Sequence, residues 1–312
     1  LKKALLICPH FMGYDEILVE ELKKRYSVTF LDSDLFLKKA RDEYNNLPII
    51  IKFIFKIIKP FRNYYRESLL DNALESNFPI LIDNEFDLIL SINGDGLSDD
   101  FYKILFSRNK SSKKFLYIWD DFDWLFKSSH IKYFDRVSTY NLEDSQKFGF
   151  SYLPVFTKPI FFNSIPQKKI DISIVATANQ KRVDFIRKFY EKNKEKYSFY
   201  IYLYDKNMDF NFFSNSNPLS YDEYQKILSQ SVSTLDIVRF GQRGPTTRVF
   251  DSLVTKTKII TANKEIINYP INSANVFILD SEFEIPEDFI KSDFVEGQEA
   301  LMVDDWLKTI EN

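Results

Sequence analysis

The sequence predicts an α/β protein made of two doubly wound domains, and three observations carry that prediction. Short apolar runs recur along the chain, each followed by a polar turn and then an amphipathic segment. The pattern lapses at a stretch rich in Pro, Asn and Ser and then restarts. The length of 312 residues is too great for one typical domain and comfortable for two.

Composition narrows the class. Hydrophobic residues make up 45% and charged residues 28%, the balance of a globular chain able to bury a core in each half. A net charge of −3 argues against a protein devoted to nucleic acid. Cys8 is the single cysteine, which excludes an intramolecular disulfide and a cysteine-based zinc cluster. With His10 and His130 the two histidines, a His-rich metal site is not expected either, and no metal or bound cofactor is assigned. The first apolar run, ALLIC, is too short for the core of a signal peptide, and no apolar stretch reaches the ~18 residues of a membrane span. A cytoplasmic protein is the expectation.

In the first half, 4–8 reads as a buried strand, 14–25 as a helix and 28–31 as a second strand. In such folds ligands sit beyond the carboxyl ends of strands, and His10 lies at such an end. Residues 34–78 form a long helical region. Strand 87–93 runs into Asn93-Gly94-Asp95-Gly96, two of only seven glycines, followed by Ser98 as a helix N-cap. Those glycines suggest positive φ or a close backbone approach, in a tight turn or a ligand-facing loop that carries Asp95. Strand 114–119 leads into Asp120-Asp121-Phe122-Asp123-Trp124, an acidic cluster placed for acid–base work or, alternatively, a solvated acidic turn. A fifth strand (135–139), a helix (142–147) and the segment 152–155 complete this half.

Within the helical region, 49–66 is unusual. Lys52, Lys56, Lys59, Arg62 and Arg66 recur at spacings of three and four among apolar and aromatic residues, with a break expected at Pro60. The favoured reading is a core-facing helix whose lysines cover its solvent face. The alternative is peripheral contact with an anionic membrane through those five residues.

The linker is placed at 158–169, between domains 1–157 and 170–312, and the strand–helix alternation resumes at 171–176. A polar turn holding Arg182 opens the helix 183–192. Strand 198–204 ends at Tyr204, helix 221–229 follows, and the last helix (301–310) is a candidate to cross back onto the first domain. The densest stretch is 235–263. An apolar strand (232–238) meets a turn with Gly241 and Gly244, then a helix (246–254), then a strand (258–262). Pro245 suits the first turn of that helix. Free N–H groups at a helix start, with Arg243 and Arg248 beside them, suit the diphosphate of a nucleotide-activated substrate; an ordinary strand–turn–helix with surface arginines is the plainer reading.

Spaced motifs then add a resemblance. Asp236, Gln242, Gly244, Thr246, Arg248, Phe250 and Asp251, closing at Thr261 and Asn263, follow a Q-x-G-x-T-x-R-x-[FI]-E pattern after a strand aspartate. This resembles bacterial glycosyltransferases of the spore-maturation-like group, which act in lipopolysaccharide and capsular polysaccharide biosynthesis. INGDGLSDDFYKIL (92–105), FLYIWDD (115–121) and KYFDRVSTYNLEDSQKFGFSYLPV (132–155) are similar to further segments of that group. Asp251 stands where glutamate is usual, and Val238-Arg239 replaces a more polar pair.

The resemblance implies a GT-B architecture, two Rossmann-like α/β domains facing a central cleft, the first on the acceptor side and the second on the donor side. It implies a transferase moving a sugar from a nucleotide-sugar donor, its co-substrate, to a glycan or lipid-linked glycan; the basic segment 52–66 favours the lipid-linked acceptor, with peripheral attachment to the inner face of the plasma membrane. Arg182, Gln242, Arg243, Gly244, Thr246, Thr247 and Arg248 are then the diphosphate-side candidates, Asp251 the ribose carboxylate, and Tyr204 a platform for the base. His10, Asp95, Asp120 and Asp121 are candidates for the acceptor's general base. The rival readings are a nucleotide-sugar epimerase on a similar two-domain frame, or a non-catalytic partner in a polysaccharide assembly complex.

Overall fold

The computed structural model describes residues 1–74, 84–125, 128–158, 166–239, 241–297 and 300–311, the side chains of residues 59, 63, 73 and 74 excepted. The chain divides into two units, Leu1–Leu153 with Leu307–Asn312, and Pro154–Trp306. Most of the expected linker, residues 159–165, lies outside the described residues.

The first unit is built on β1 (Lys2–Cys8), β2 (Tyr26–Asp32), β3 (Leu88–Ile92), β4 (Lys113–Ile118), β5 (Arg136–Thr139) and β6 (Ser151–Tyr152). They form one parallel sheet in the order β2-β1-β3-β4-β5-β6. A parallel sheet is covered on both faces, so its central strands are continuous apolar runs and not alternating ones. Residues 4–8 of β1 and all of β3 are buried accordingly. Chain order reverses between β1 and β3, which makes the carboxyl ends of those strands the natural crevice.

Around this sheet run α1 (Tyr14–Lys23), α2 (Ser33–Asn45), α3 (Ile49–Ile57), α4 (Lys59–Leu74), α5 (Asp99–Arg108) and α6 (Leu142–Phe148). Side-chain oxygens start several of them. Ser98 caps α5 as expected, accepting from Phe101 N at 3.2 Å. Asn141 caps α6, and Gly149 ends it in the left-handed conformation at φ 72°.

The second unit repeats the plan with β7 (Ile170–Thr177), β8 (Phe199–Tyr204), β9 (Ser214–Asn215), β10 (Ser231–Asp236), β11 (Lys258–Thr261) and β12 (Val276–Ile278). The parallel order is β12-β11-β10-β7-β8-β9, so the reversal falls between β7 and β10. Its helices are α7 (Gln180–Asn193), α8 (Tyr221–Ser229), α9 (Thr247–Val254) and α10 (Glu287–Lys291). Ser220 and Glu223 form a reciprocal capping box at α8. α11 (Val303–Glu311) begins in the second unit and ends in the first. At its end, Arg136 Nη1 donates to the Thr309 carbonyl at 3.0 Å. The two Rossmann-like α/β units are those the sequence predicts.

The core-facing reading of residues 49–66 is corrected. Of α3 only Phe55 is buried, against Tyr44, Phe61 and Tyr65. The remaining isoleucines and Phe53 are exposed or half-exposed because α2 and α4 already pack on one another beneath. The expected break is present: Ile58 is non-helical and Pro60 is the second residue of α4, where a missing N–H costs nothing.

Candidate functional site

At the reversal point of the second unit, β7 and β10 end side by side, and a buried aspartate organises what lies there. Asp236 closes β10 at 1% exposure. Its Oδ1 accepts from Arg248 Nη1 at 3.1 Å and from the Thr246 hydroxyl. Burial pushes the Asp236 carboxyl upward, opposed by Arg248 and by the Thr246 hydrogen bond. The other end of the Arg248 fork, Nη2, donates to the Val175 carbonyl of β7 at 2.6 Å. One guanidinium thus ties α9 to the carboxyl ends of both strands.

A second arginine grips the same strand. Arg182, in the first turn of α7, donates from Nη1 to the Thr177 carbonyl at 3.2 Å, below the Asn179 cap. Burial first, then the Arg248 and Arg239 guanidiniums, hold Arg182 below the ordinary arginine value. Three arginines are therefore within electrostatic reach of one another at one sheet end.

The loop between β10 and α9 is held by its own polar groups. Gln242 Oε1 accepts from Arg239 N at 3.1 Å, and Nε2 donates to the Gly244 carbonyl at 3.1 Å. Gly241 has φ 84°, a left-handed position that suits glycine. The Arg243 carbonyl accepts from Asn263 Nδ2 at 3.0 Å, closing the loop onto the end of β11. Pro245 does not open the helix, contrary to expectation. Thr246 is the N-cap in extended conformation and Thr247 the first helical residue, so Pro245 lies one place outside. Thr246 makes no side-chain cap, since its hydroxyl goes to Asp236.

Asp251 is fully buried, and its Oδ1 accepts from Tyr221 Oη at 2.7 Å, which also receives Gln225 Nε2 at 2.7 Å. Burial, and then Asp251 itself, push the Tyr221 phenol upward. In this structure Asp251 joins α9 to α8. Tyr204 ends β8 half-buried, its carbonyl accepting from Ala178 N at 2.8 Å.

In the first unit the loops after β1, β3 and β4 share one sheet end. His10 is exposed, with Nδ1 hydrogen-bonded to Asp15 and Nε2 3.9 Å from Asp32 Oδ2. Asp15 is 3% exposed and also receives Phe11 N at 3.2 Å, so it fixes both the ring and the loop. The Phe11 and Trp119 rings, 5.7 Å apart, bring the first and third loops together. Asn93 bridges two strand ends, accepting from Trp119 N at 3.0 Å and donating to Asp120 Oδ2 at 2.8 Å.

The glycines of this loop realise both expectations. Gly94 has φ 74°, and a Cβ there would meet the His130 ring at 2.8 Å; a Cβ on Gly96 would meet the Ser33 carbonyl at 2.6 Å. His130 is fully buried, stacked on Tyr102 at 5.5 Å, with Nε2 2.8 Å from the Asn93 carbonyl. Asp95 is half-buried in the same turn. Asp121 is 1% exposed and accepts from Tyr140 Oη at 2.9 Å and Asn141 Nδ2 at 2.7 Å. Asp123 turns elsewhere, 3.8 Å from Lys147.

The sequence matches no family model and no curated protein. Among solved structures it is similar to the crystal structure of a GtfA/B complex, at 9% identity and a TM-score of 0.40, covering 79% of this chain and 57% of that one. The chain thus spans a little over half the length of that structure. The strand orders given above establish the two-unit α/β fold independently of this likeness.

Chemically, the second unit offers a cationic strand end beside a helix start without a side-chain cap, and the first offers an exposed imidazole backed by carboxylates. Asp15 and Asp32 escape a motif search, and Asn93 was read as part of a glycine turn without its bridging role. The signal for Asp15 was its place in the first turn of the helix after His10, where a carboxylate can reach back to the loop.

Two stability measurements check the network. Arg248→Met is expected to cost about 3–5 kcal/mol in urea unfolding, because it leaves Asp236 buried without its cation. Adding Asp236→Leu should recover most of that loss; a purely additive double variant would contradict the pairing. Asp121→Ala is expected to cost about 1.5–3 kcal/mol by stranding Tyr140 and Asn141, whereas Asp123→Ala should change stability by less than about 1 kcal/mol.

Proposed function

We propose that the chain is a glycosyltransferase that moves a sugar from a nucleotide-sugar donor to a glycan or lipid-linked glycan acceptor in surface polysaccharide biosynthesis. The observation that carries this reading is the pair Arg182 and Arg248, both anchored to carbonyls at the end of β7, where a doubly wound sheet binds its ligand. Their setting suits an anion of more than one charge, as a nucleoside diphosphate is. The match of 242–251 to the transferase motif supports the same assignment, and makes the second unit the donor side.

In the transfer, the bond from the anomeric carbon to the diphosphate oxygen breaks, and its electron pair leaves on that oxygen. Arg182, Arg248 and the amides at the start of α9 stabilise the growing charge. Arg243, Gln242, Gly244 and Thr247 line the same loop. The arginines take the part of a metal ion in this reading, so activity is expected to persist in EDTA. The acceptor oxygen forms the new bond to the anomeric carbon and gives up its proton.

We assign that proton to His10, in the acceptor-side unit. With Nδ1–H donated to Asp15, Nε2 holds the lone pair, and Asp32 Oδ2 lies 3.9 Å from it. Asp120, held by Asn93, and Asp95 remain within the same set of loops and suit contacts to acceptor hydroxyls. Asp121, committed to Tyr140 and Asn141, positions the loop.

A thermal-shift screen against UDP-, GDP-, CMP- and dTDP-sugars tests the donor assignment, since a ligand bound to the native state raises the melting temperature. No shift with any of the four would sink it. Arg182→Ala should weaken nucleotide binding by about 1–3 kcal/mol in calorimetry with the fold intact. His10→Asn should lower kcat by about 10²–10⁴-fold and leave nucleotide affinity unchanged. An undiminished kcat would remove His10 from the base role.

A further inference from the structure

The first unit carries an apolar surface that the transfer chemistry does not use. On α3, Ile49 is 84% exposed, Ile50 74%, Phe53 63% and Ile57 68%, at i, i+1, i+4 and i+8 spacings that form one stripe. Beyond the break, Phe61 and Tyr64 of α4 are also exposed, at 52% and 73%. The opposite side of α3 is held by Phe55, packed between Tyr44, Phe61 and Tyr65 with ring centroids 5.1–6.0 Å apart. Clustered exposed residues of this size mark an interaction site.

Charge identifies the occupant. Between Glu43 and Glu67 the sequence holds Lys52, Lys56, Lys59, Arg62 and Arg66 and no acidic residue, in a chain whose net charge is −3. Lys52 and Lys56 flank the stripe on its edge nearest Phe55, where amines sit level with an interface while the isoleucines enter it. Lys52 leans back to the Asn45 carbonyl at 2.6 Å, and Lys56 is exposed. Arg66 lies over the Tyr44 ring at 5.4 Å. A protein partner of matching shape would be expected to bring its own acidic groups to a mixed surface. An apolar stripe on a segment, 44–66, whose charged residues are all basic instead complements an anionic lipid headgroup layer above an acyl interior.

We propose that α3 and the start of α4 form a membrane-docking element that lies flat on an anionic bilayer, inserting Ile49, Ile50, Phe53 and Ile57 below the headgroups. The element lies on the membrane and does not span it. No helix among the described residues is long and apolar enough to cross one. The inference stands apart from the proposed transfer reaction, since it uses none of the residues assigned to it.

Flotation of the full chain with vesicles tests it. Phosphatidylcholine vesicles containing phosphatidylglycerol are expected to carry the protein up a density gradient at low salt, and pure phosphatidylcholine vesicles to carry much less. Lys52→Glu with Lys56→Glu should reduce the bound fraction by about tenfold or more, and raised salt should act in the same direction. Ile50→Asp with Phe53→Asp should abolish flotation while circular dichroism and the nucleotide thermal shift stay unchanged, since both side chains already face water. No flotation with anionic vesicles, or equal flotation of the variants, overturns the proposal. So does a dimer by light scattering that the Ile50/Phe53 variant converts to monomer, because the stripe is then covered by a second copy.

Discussion

The second unit depends on a carboxylate placed where carboxylates are costly. Asp236 sits at the end of a central strand, fully surrounded, and burial alone would drive it to take up a proton. Arg248 and Thr246 oppose that tendency, and by doing so they set the path of the chain from β10 into α9. Breaking such a pair is far more damaging than never having built it, so the geometry is locked once formed. A consequence follows for the helix. A threonine at an N-cap position normally gives its oxygen to the helix amides, but here its hydroxyl donates to Asp236. The first amides of α9 are left to the loop side, and the interaction that fixes the strand end is also what makes the helix start suitable for an anion.

The first unit solves the same problem differently. Its strand ends are joined by neutral groups, with Asn93 spanning β3 to β4 through both atoms of its amide. Beneath it, His130 and Tyr102 stack and bond to the carbonyls of Asn93 and Gly94. Any side chain at Gly94 would enter the His130 ring, so the glycine answers to a packed histidine and not to a ligand. At the surface of this sheet end stands His10, whose ring is held by a buried partner, Asp15. A rigid support below and an exposed imidazole above suit proton transfer better than recognition of a large anion.

The sheets were legible in the sequence because a strand buried on both faces is a run of aliphatic residues, and 4–8, 88–92 and 258–261 read as such. The helix start at Ser98 was legible because a serine before acidic residues caps locally, whereas the helix read as 183–192 begins at Gln180, capped by Asn179. Reading failed where partners come from far along the chain. Asp121 looked like a carboxylate in an acidic turn until Tyr140 and Asn141 closed over it, and nothing local to Asp251, read as a ribose carboxylate, shows that Tyr221, thirty positions earlier, reaches it. Residues 49–66 failed for another reason: a dense apolar helix is ordinarily a core helix, and sequence alone does not tell that α2 and α4 have already filled the space beneath it.

The electrostatics of the second unit carry the argument one step further. Burial first, and then the guanidiniums of Arg248 and Arg239, disfavour the charge of Arg182 in the folded chain, with Asp236 acting in the opposite sense. Like charges held together by backbone carbonyls raise the energy of the native state, and a fold selected for stability alone has no use for them. An anion bound among them reverses the sign of that interaction. Such an anion should bind with little proton uptake, because an arginine stays protonated at neutral pH even when its value is lowered. Anion binding at the strand end of Val175 and Thr177 would relieve that repulsion, which is the physical basis of the donor-side proposal.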